Sequence, residues 1–100
     1  AAQVHCAPEV IAYIVDIVQA TRRAPSLALG VSPRGATRLL AAAQAQAWLS
    51  GRGYITPDDV KSLVPATFRH RIALRPEAQM EGADVDRVLA SIVESVHVPR

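Results

Sequence analysis

Apolar residues recur at intervals of three and four along most of the chain, which is the pattern of amphipathic helices that share one core. Val10, Ile14 and Val18 belong to the clearest of these stripes, and Pro25 ends it. Proline at a first helical position, preceded by a side chain that can cap, marks two further helix starts. The pattern predicts four helices: Pro8 to just before Pro25, Pro33 to about Ser50, Pro57 to about Arg71, and Asp84 to about Val96.

The segments between these helices are predicted to be irregular. Leu27 and Leu29 are expected to tuck beneath the loop that follows the first helix. Residues 72–76 read as an extended connection, because the residue before a proline avoids helical torsions. Residues 77–83 are polar and contain a glycine, which predicts a mobile loop.

The third helix has a well-marked start and an interruption. Thr56 is a typical cap, and Asp58 and Asp59 complement the positive end of the helix dipole, so a metal or acid–base role for this pair is not needed. Pro65 predicts a kink or a split into two short helices. Trp48, near the end of the second helix, is expected to pack against the core.

The predicted fold is all-α, a small four-helix bundle, because each of the four helices has one apolar face.

The start of the second helix carries the most unusual charge. Gly30 permits a turn, Ser32 can cap the first free amides, and Pro33 suits the first helical position. Arg34 then lies in the first turn, with Arg38 one turn later, although a cation there opposes the helix dipole at a cost of about 0.3–1 kcal/mol. A guanidinium beside free N–H groups could bind a phosphate, and it could equally be a solvated surface charge.

Length and cysteine content limit the class of protein. One hundred residues make one small domain or a segment of a larger protein, and the absence of an initiator methionine favours a segment. The apolar runs are too short to cross a membrane, and no signal peptide is recognisable. Cys6 is the single cysteine, so no internal disulfide can form, which fits a reducing compartment such as the cytoplasm.

Charge is distributed unevenly, although the net charge is only +2. Residues 1–16 carry −2, residues 17–75 carry +7, and residues 76–100 carry −3. An anionic ligand or partner is therefore expected to meet the middle of the chain.

Several catalytic chemistries find no support in the sequence. No glycine-rich phosphate loop ending in Lys-Ser or Lys-Thr is present, so the chain alone is not expected to hydrolyse a nucleotide. His5, His70 and His97 are scattered and Cys6 has no second cysteine, so no metal site is predicted. Ser32 is better explained as a cap than as a nucleophile.

A nucleic-acid-binding module remains an alternative. The basic middle and two helices joined at Gly51-Arg52-Gly53 are compatible with a helix-turn-helix, or with an adaptor. The alanine-rich second helix argues against base reading, which needs polar side chains.

Seven segments follow one another in order over nearly the whole chain: Pro8-Glu9, Tyr13 to Val18, Ala20-Thr21-Arg22, Leu29 to Arg34, Gly51 to Val60, His70-Arg71 and Val98-Pro99. Together they resemble the C-terminal helical lid of MoxR-type AAA+ ATPases, and magnesium-chelatase ATPase subunits have a similar lid. The resemblance implies that residues 1–7 are a linker from a missing AAA+ core and that residues 8–100 form the lid.

The resemblance also implies a role for Arg34, which matches the sensor 2 arginine of the family. With Ser32 and Pro33 it would meet ATP and Mg²⁺ bound by the core of the intact protein. Arg38, His70 and Arg71 are secondary candidates. The implied parent is a hexameric, chaperone-like ATPase that can act beside a von Willebrand factor A domain protein. Two positions depart from the family, in which alanine is commoner at Val31 and Gly35, and Gly35 is expected to loosen the first turn.

Overall fold

The four predicted helices are present in a computed structural model, which describes residues 4–99. Residues 1–3 of the predicted linker (residues 1–7) and Arg100 of the predicted lid (residues 8–100) lie outside the described residues. The elements are α1 Pro8–Arg23, β1 Leu27–Leu29, α2 Pro33–Leu49, α3 Pro57–Phe68, β2 Ala73–Leu74, α4 Pro76–Met80 and α5 Val85–Ser95.

The helices enclose one core, to which every long helix contributes its apolar stripe. α2 packs chiefly against α3 and α1, and α5 packs against α1 and α3. Ala43 and Ala47 are fully buried on α2, and their small side chains allow a neighbouring helix to approach closely. The largest fully buried side chains are Tyr13, Phe68, Ile17, Leu39 and Leu89.

Helix α3 begins with the Thr56 cap that the sequence predicts, and Asp59 completes it as a capping box. The Thr56 hydroxyl accepts a hydrogen bond from the Asp59 amide at 3.2 Å, and the Asp59 carboxylate accepts one from the Thr56 amide at 2.8 Å. Both open amides at the helix start are thereby satisfied. Asp84 caps α5 in a similar way through the Arg87 amide.

Pro65 does not divide α3, because the helix continues through it to Phe68. The proline removes one backbone hydrogen bond, but the next turn still closes with Arg69 N–H donating to the Pro65 carbonyl at 2.9 Å. Val64 and Phe68, on either side of that position, are buried in the core. Tertiary packing therefore holds the segment helical where local preference alone would interrupt it.

The predictions for the segments between the helices are partly wrong. Residues 27–29 form a strand that pairs antiparallel with β2, and the register is irregular between Leu27 and Leu29. Leu27 is buried, whereas Leu29, which a regular strand would place on the same face, is 61% exposed. Residues 76–80 form the short helix α4 rather than a mobile loop, since Pro76 at its first position favours a helical turn. Of the predicted extended connection at residues 72–76, residues 73–74 are confirmed as β2, whereas Pro76 already begins α4.

Trp48 is exposed over 55% of its surface, so the prediction that it packs in the core is wrong. Ala47 occupies the buried position in this turn of α2, and the next residue is rotated by about 100° from it. The α2 helix ends at a left-handed Gly51, with φ of 77°, as its sequence predicts.

The described part of the N-terminal segment is attached to the bundle. His5 pairs with Tyr54 in a parallel bridge, in which the His5 amide donates to the Gly53 carbonyl at 2.8 Å. The Ile55 amide donates back to the His5 carbonyl at 3.0 Å. Within residues 4–99, no helix is both long enough and apolar enough to cross a membrane.

Candidate functional site

The start of α2 presents its cation to solvent. Ser32, Pro33 and Arg34 are all exposed, and the Arg34 side chain makes no hydrogen bond or ion pair with another of residues 4–99. The guanidinium is thus available to an external anion. Arg38, one turn further along, is also exposed and equally without a side-chain partner in residues 4–99.

The backbone of this helix start is open. Ser32 occupies the N-cap position, but its hydroxyl accepts no capping hydrogen bond, so the predicted capping contact is not formed. Pro33 has no N–H, and the Gly35 amide donates to the Ser32 carbonyl at 2.8 Å. The Arg34 amide is left without a partner in the described chain, at the positive end of a 17-residue helix.

The loop before Arg34 is fixed to the end of α1 by a buried threonine. The Thr21 side chain is 1% exposed, and its hydroxyl donates to the Val18 carbonyl at 2.6 Å. The same oxygen accepts a hydrogen bond from the Val31 amide at 3.0 Å. Sequence reasoning missed this contact, although Thr21 follows Val18 by three residues on the buried stripe, and a polar residue there needs a partner.

Two glycines allow the close packing of this loop. A Cβ at Gly30 would lie 2.7 Å from the Arg22 Cα and 2.8 Å from the Thr21 carbonyl oxygen, and these are backbone atoms that have no room to move aside. A Cβ at Gly35 would overlap the Val31 Cγ1. The expectation that Gly35 loosens the first turn is therefore not met, because the glycine is buried and allows α2 to pack directly on Val31.

Three elements meet at this end of the bundle. The end of α1 contacts the loop, where Arg22 Nη1 donates to the Val31 carbonyl at 3.4 Å. The end of α3 reaches the start of α2, because Phe68 Cε1 lies 3.4 Å from a Cβ placed on Gly35. The turn that carries His70 and Arg71 follows Phe68 directly. The structure therefore brings this turn to the same end of the bundle as Arg34.

The secondary candidates His70 and Arg71 are both exposed in the turn that follows α3, so neither side chain belongs to the core. Their neighbour Arg69 makes a two-pronged ion pair with Asp86 of α5, Nε to Oδ1 at 2.9 Å and Nη2 to Oδ2 at 3.0 Å. Both side chains of that pair are about half exposed, so it fastens the surface of the bundle rather than its core.

The strongest electrostatic contact lies elsewhere, at the turn between α2 and α3. Arg52 Nη1 and Nη2 donate to the two carboxylate oxygens of Asp59 at 2.6 and 2.7 Å. The Arg52 hydrogen bond, helped by the Thr56 contacts, holds the pKa of the Asp59 carboxyl well below its usual range, although burial opposes this shift. Sequence reasoning explained Asp59 as a helix-start residue and missed its partner. Among residues 4–99, no three His, Cys, Asp or Glu side chains are grouped to hold a metal ion.

Comparison with known proteins decides the family. The model of the AAA lid domain matches residues 19–92, which is most of the chain. The chain belongs to the AAA lid domain family. The resemblance to a MoxR-type AAA+ lid, inferred from the sequence segments, is confirmed.

Individual relatives agree with this assignment. The chain is 51% identical over 87 residues to the uncharacterized protein YeaC of Bacillus subtilis, covering 87% of the chain and 27% of YeaC. It is 32% identical to protein MoxR of Methylorubrum extorquens, covering 92% of the chain and 31% of that protein. The crystal structure of a candidate ATPase from Cytophaga hutchinsonii superposes with a TM-score of 0.90 at 28% identity, over 98% of the chain and 32% of the other. The lid thus spans about a third or less of each of these relatives.

Proposed function

We propose that this domain is the sensor 2 lid of an AAA+ ATPase, and that Arg34 contacts the phosphates of ATP bound by the core domain. The observation that carries the proposal is the exposed Arg34 guanidinium, which has no partner within residues 4–99 and stands at the open start of α2. A side chain of this kind would be costly for the helix unless an anion compensates it.

Arg34 would act by binding and by charge stabilisation. Its guanidinium can donate two parallel hydrogen bonds to phosphate oxygens, and the unpartnered Arg34 amide lies at the same helix start. Bound ATP and Mg²⁺ would supply the reacting phosphoryl group, held by residues outside this chain. As negative charge shifts during phosphoryl transfer, a guanidinium bound to the phosphate oxygens would stabilise it without the cost of reorganising water.

The same contact would couple nucleotide state to the position of the lid. Arg34 belongs to a rigid corner made of the α1 end, the α2 start and the α3 end. A force on the guanidinium is therefore transmitted to the whole bundle rather than absorbed by one loop. Binding, hydrolysis and phosphate release would each favour a different lid angle.

For the intact parent we propose a cytoplasmic, hexameric ATPase that uses this motion in the chaperone-like maturation of other protein complexes, with a von Willebrand factor A domain protein as a candidate partner. The isolated lid should bind nucleotide weakly or not at all, because a phosphate loop and Mg²⁺ ligands would belong to the core. Steeply salt-dependent binding of duplex DNA by the lid would instead favour the nucleic-acid-binding alternative.

The decisive experiment replaces Arg34 with alanine in the full-length parent and measures steady-state ATP turnover. The expected result is a fall in kcat of about 10²-fold, the typical loss when one preorganised donor to a developing negative charge is removed. Arg34→Lys should recover only part of the rate, because lysine keeps the charge but loses the two-pronged geometry.

Arg87→Ala is the matched control, since Arg87 is another exposed arginine in the first turn of a helix, α5. It should leave kcat unchanged. Wild-type turnover in the Arg34→Ala protein would remove the sensor assignment.

A further inference from the structure

Arg34 depends on its backbone for its position. The side chain has no hydrogen bond or ion pair within residues 4–99 that would orient it. The location of the guanidinium is therefore set by where α2 begins, and so by the contacts that fix that start.

The last buried residue of α1 provides one such contact. The Thr21 hydroxyl uses its one hydrogen to bind the Val18 carbonyl at 2.6 Å and a lone pair to bind the Val31 amide at 3.0 Å. It therefore links a carbonyl of the α1 end to the backbone three residues before Arg34. Since Thr21 is 1% exposed, water cannot readily replace either bond.

Val31 passes this constraint to the helix. Its side chain is fully buried and lies so close to Gly35 that no Cβ would fit there. The Gly35 amide in turn closes the first turn on the Ser32 carbonyl at 2.8 Å. Arg34 lies between Val31 and Gly35, and the contacts just described fix the positions of both residues.

We propose that Thr21 is a positioning residue for Arg34, and that its hydroxyl sets the start of α2 by holding the Val31 amide against the end of α1. The proposal rests on the sensor 2 role given above and adds to it a residue that touches no nucleotide. A displacement of about 1 Å in a charge-stabilising group can lower a rate by about 10²-fold, so loss of this bond should be visible in turnover.

The test measures kcat in the full-length parent for Thr21→Val and Thr21→Ser, each alone and combined with Arg34→Ala. Thr21→Val is expected to lower kcat by about tenfold or more, whereas Thr21→Ser, which keeps the hydroxyl, should restore it to within about twofold of wild type. In the Arg34→Ala protein, Thr21→Val should cause no further loss, because the group that it positions is already gone.

A second readout reports the mechanism directly. Hydrogen–deuterium exchange of the peptide that covers residues 30–36 should become about tenfold faster or more in Thr21→Val and stay near wild type in Thr21→Ser. Thr67→Val is the matched control, because Thr67 lies in α3 and its hydroxyl makes no hydrogen bond within residues 4–99. If Thr21→Val does not fold, Thr21→Ala removes the hydroxyl without adding a methyl group in its place.

The failures of the two proposals are distinguishable. If Arg34→Ala slows turnover but Thr21→Val has wild-type kcat, or lowers kcat equally with and without Arg34, the positioning role of Thr21 is wrong and the sensor role stands. If Arg34→Ala itself has wild-type turnover, the sensor role fails and the positioning role with it.

Discussion

Replacing Asp59 with asparagine tests the Arg52–Asp59 ion pair, which joins the turn after α2 to the start of α3. The substitution keeps the size and shape of the side chain but removes its charge. Asp59 is 4% exposed and accepts two hydrogen bonds from Arg52, one from the Thr56 amide and a longer one, at 3.4 Å, from Gln46. Asparagine has one acceptor oxygen where the carboxylate has two, so it can satisfy only part of this set.

The expected loss is about 2–3 kcal/mol in the free energy of unfolding at pH 7, because a hydrogen bond to a charged group contributes about 1.5–3 kcal/mol and Arg52 can turn partly toward water. The Arg52 side chain is 28% exposed, which places the estimate below that for a fully buried pair. For a domain of this size, the loss corresponds to a decrease of about 8–20 °C in Tm.

The pH dependence gives a second, independent signature. The pKa of Asp59 is lower in the folded chain than in the unfolded chain, so the folded state binds fewer protons and stability rises with pH. This contribution is complete above the unfolded value, near 4, and is lost as pH falls toward the folded value below it. The stability gap between wild type and Asp59→Asn should therefore be full at pH 7 and narrower at pH about 2.5.

Urea unfolding followed by circular dichroism at both pH values measures the gap, and Asp58→Asn is the matched control. Asp58 is exposed in the same helical turn, and its side chain has no hydrogen bond within residues 4–99, so only the helix-dipole term of about 0.3–1 kcal/mol should be lost. Equal losses for the two variants, or a gap that does not change with pH, would refute the reasoning.

Two further predictions concern close packing and surface charge. Gly35→Ala should destabilise the fold by about 1–3 kcal/mol in thermal unfolding, although alanine is the better helix former, because the new Cβ would overlap the Val31 side chain. Gly51→Ala, in open space at φ of 77°, should lose only the left-handed backbone contribution of about 1 kcal/mol. A Gly35→Ala protein as stable as wild type would contradict the packing account. Arg69→Ala should leave Tm nearly unchanged in low and in high salt, since both partners of its ion pair are about half exposed, and a large salt-dependent decrease would show that the pair is worth more than its exposure indicates.

The helices and their starts were predictable because local chemistry decides them. Pro8, Pro33 and Pro57 each occupy a first helical position, and Thr56 caps α3 as expected. These features depend on residues within one turn of each other. A single sequence shows such neighbours directly, and the periodicity of apolar positions supplies the rest.

The errors arise where distant residues decide the outcome. Pro65 does not split α3, because Val64 and Phe68 on either side of it are buried by other elements. Residues 27–29 form a strand because they pair with residues 73–74, more than 40 residues later. The position of Arg34 at the start of α2 was predictable from the sequence, but the contacts that hold this start in place were not. The contact from Thr21 to Val31 and the pair of Arg52 with Asp59 each join a helix to a residue in a neighbouring loop or turn, which helical periodicity does not predict.

The bridge between His5 and Tyr54 has a mechanical consequence. A pulling force applied at residue 4 would not act first on the start of α1. Two backbone hydrogen bonds of His5 would transmit it to the turn between α2 and α3. That turn is locked by the paired guanidinium and carboxylate of Arg52 and Asp59. A force on this N-terminal segment would therefore rotate the whole bundle as one body instead of unwinding α1.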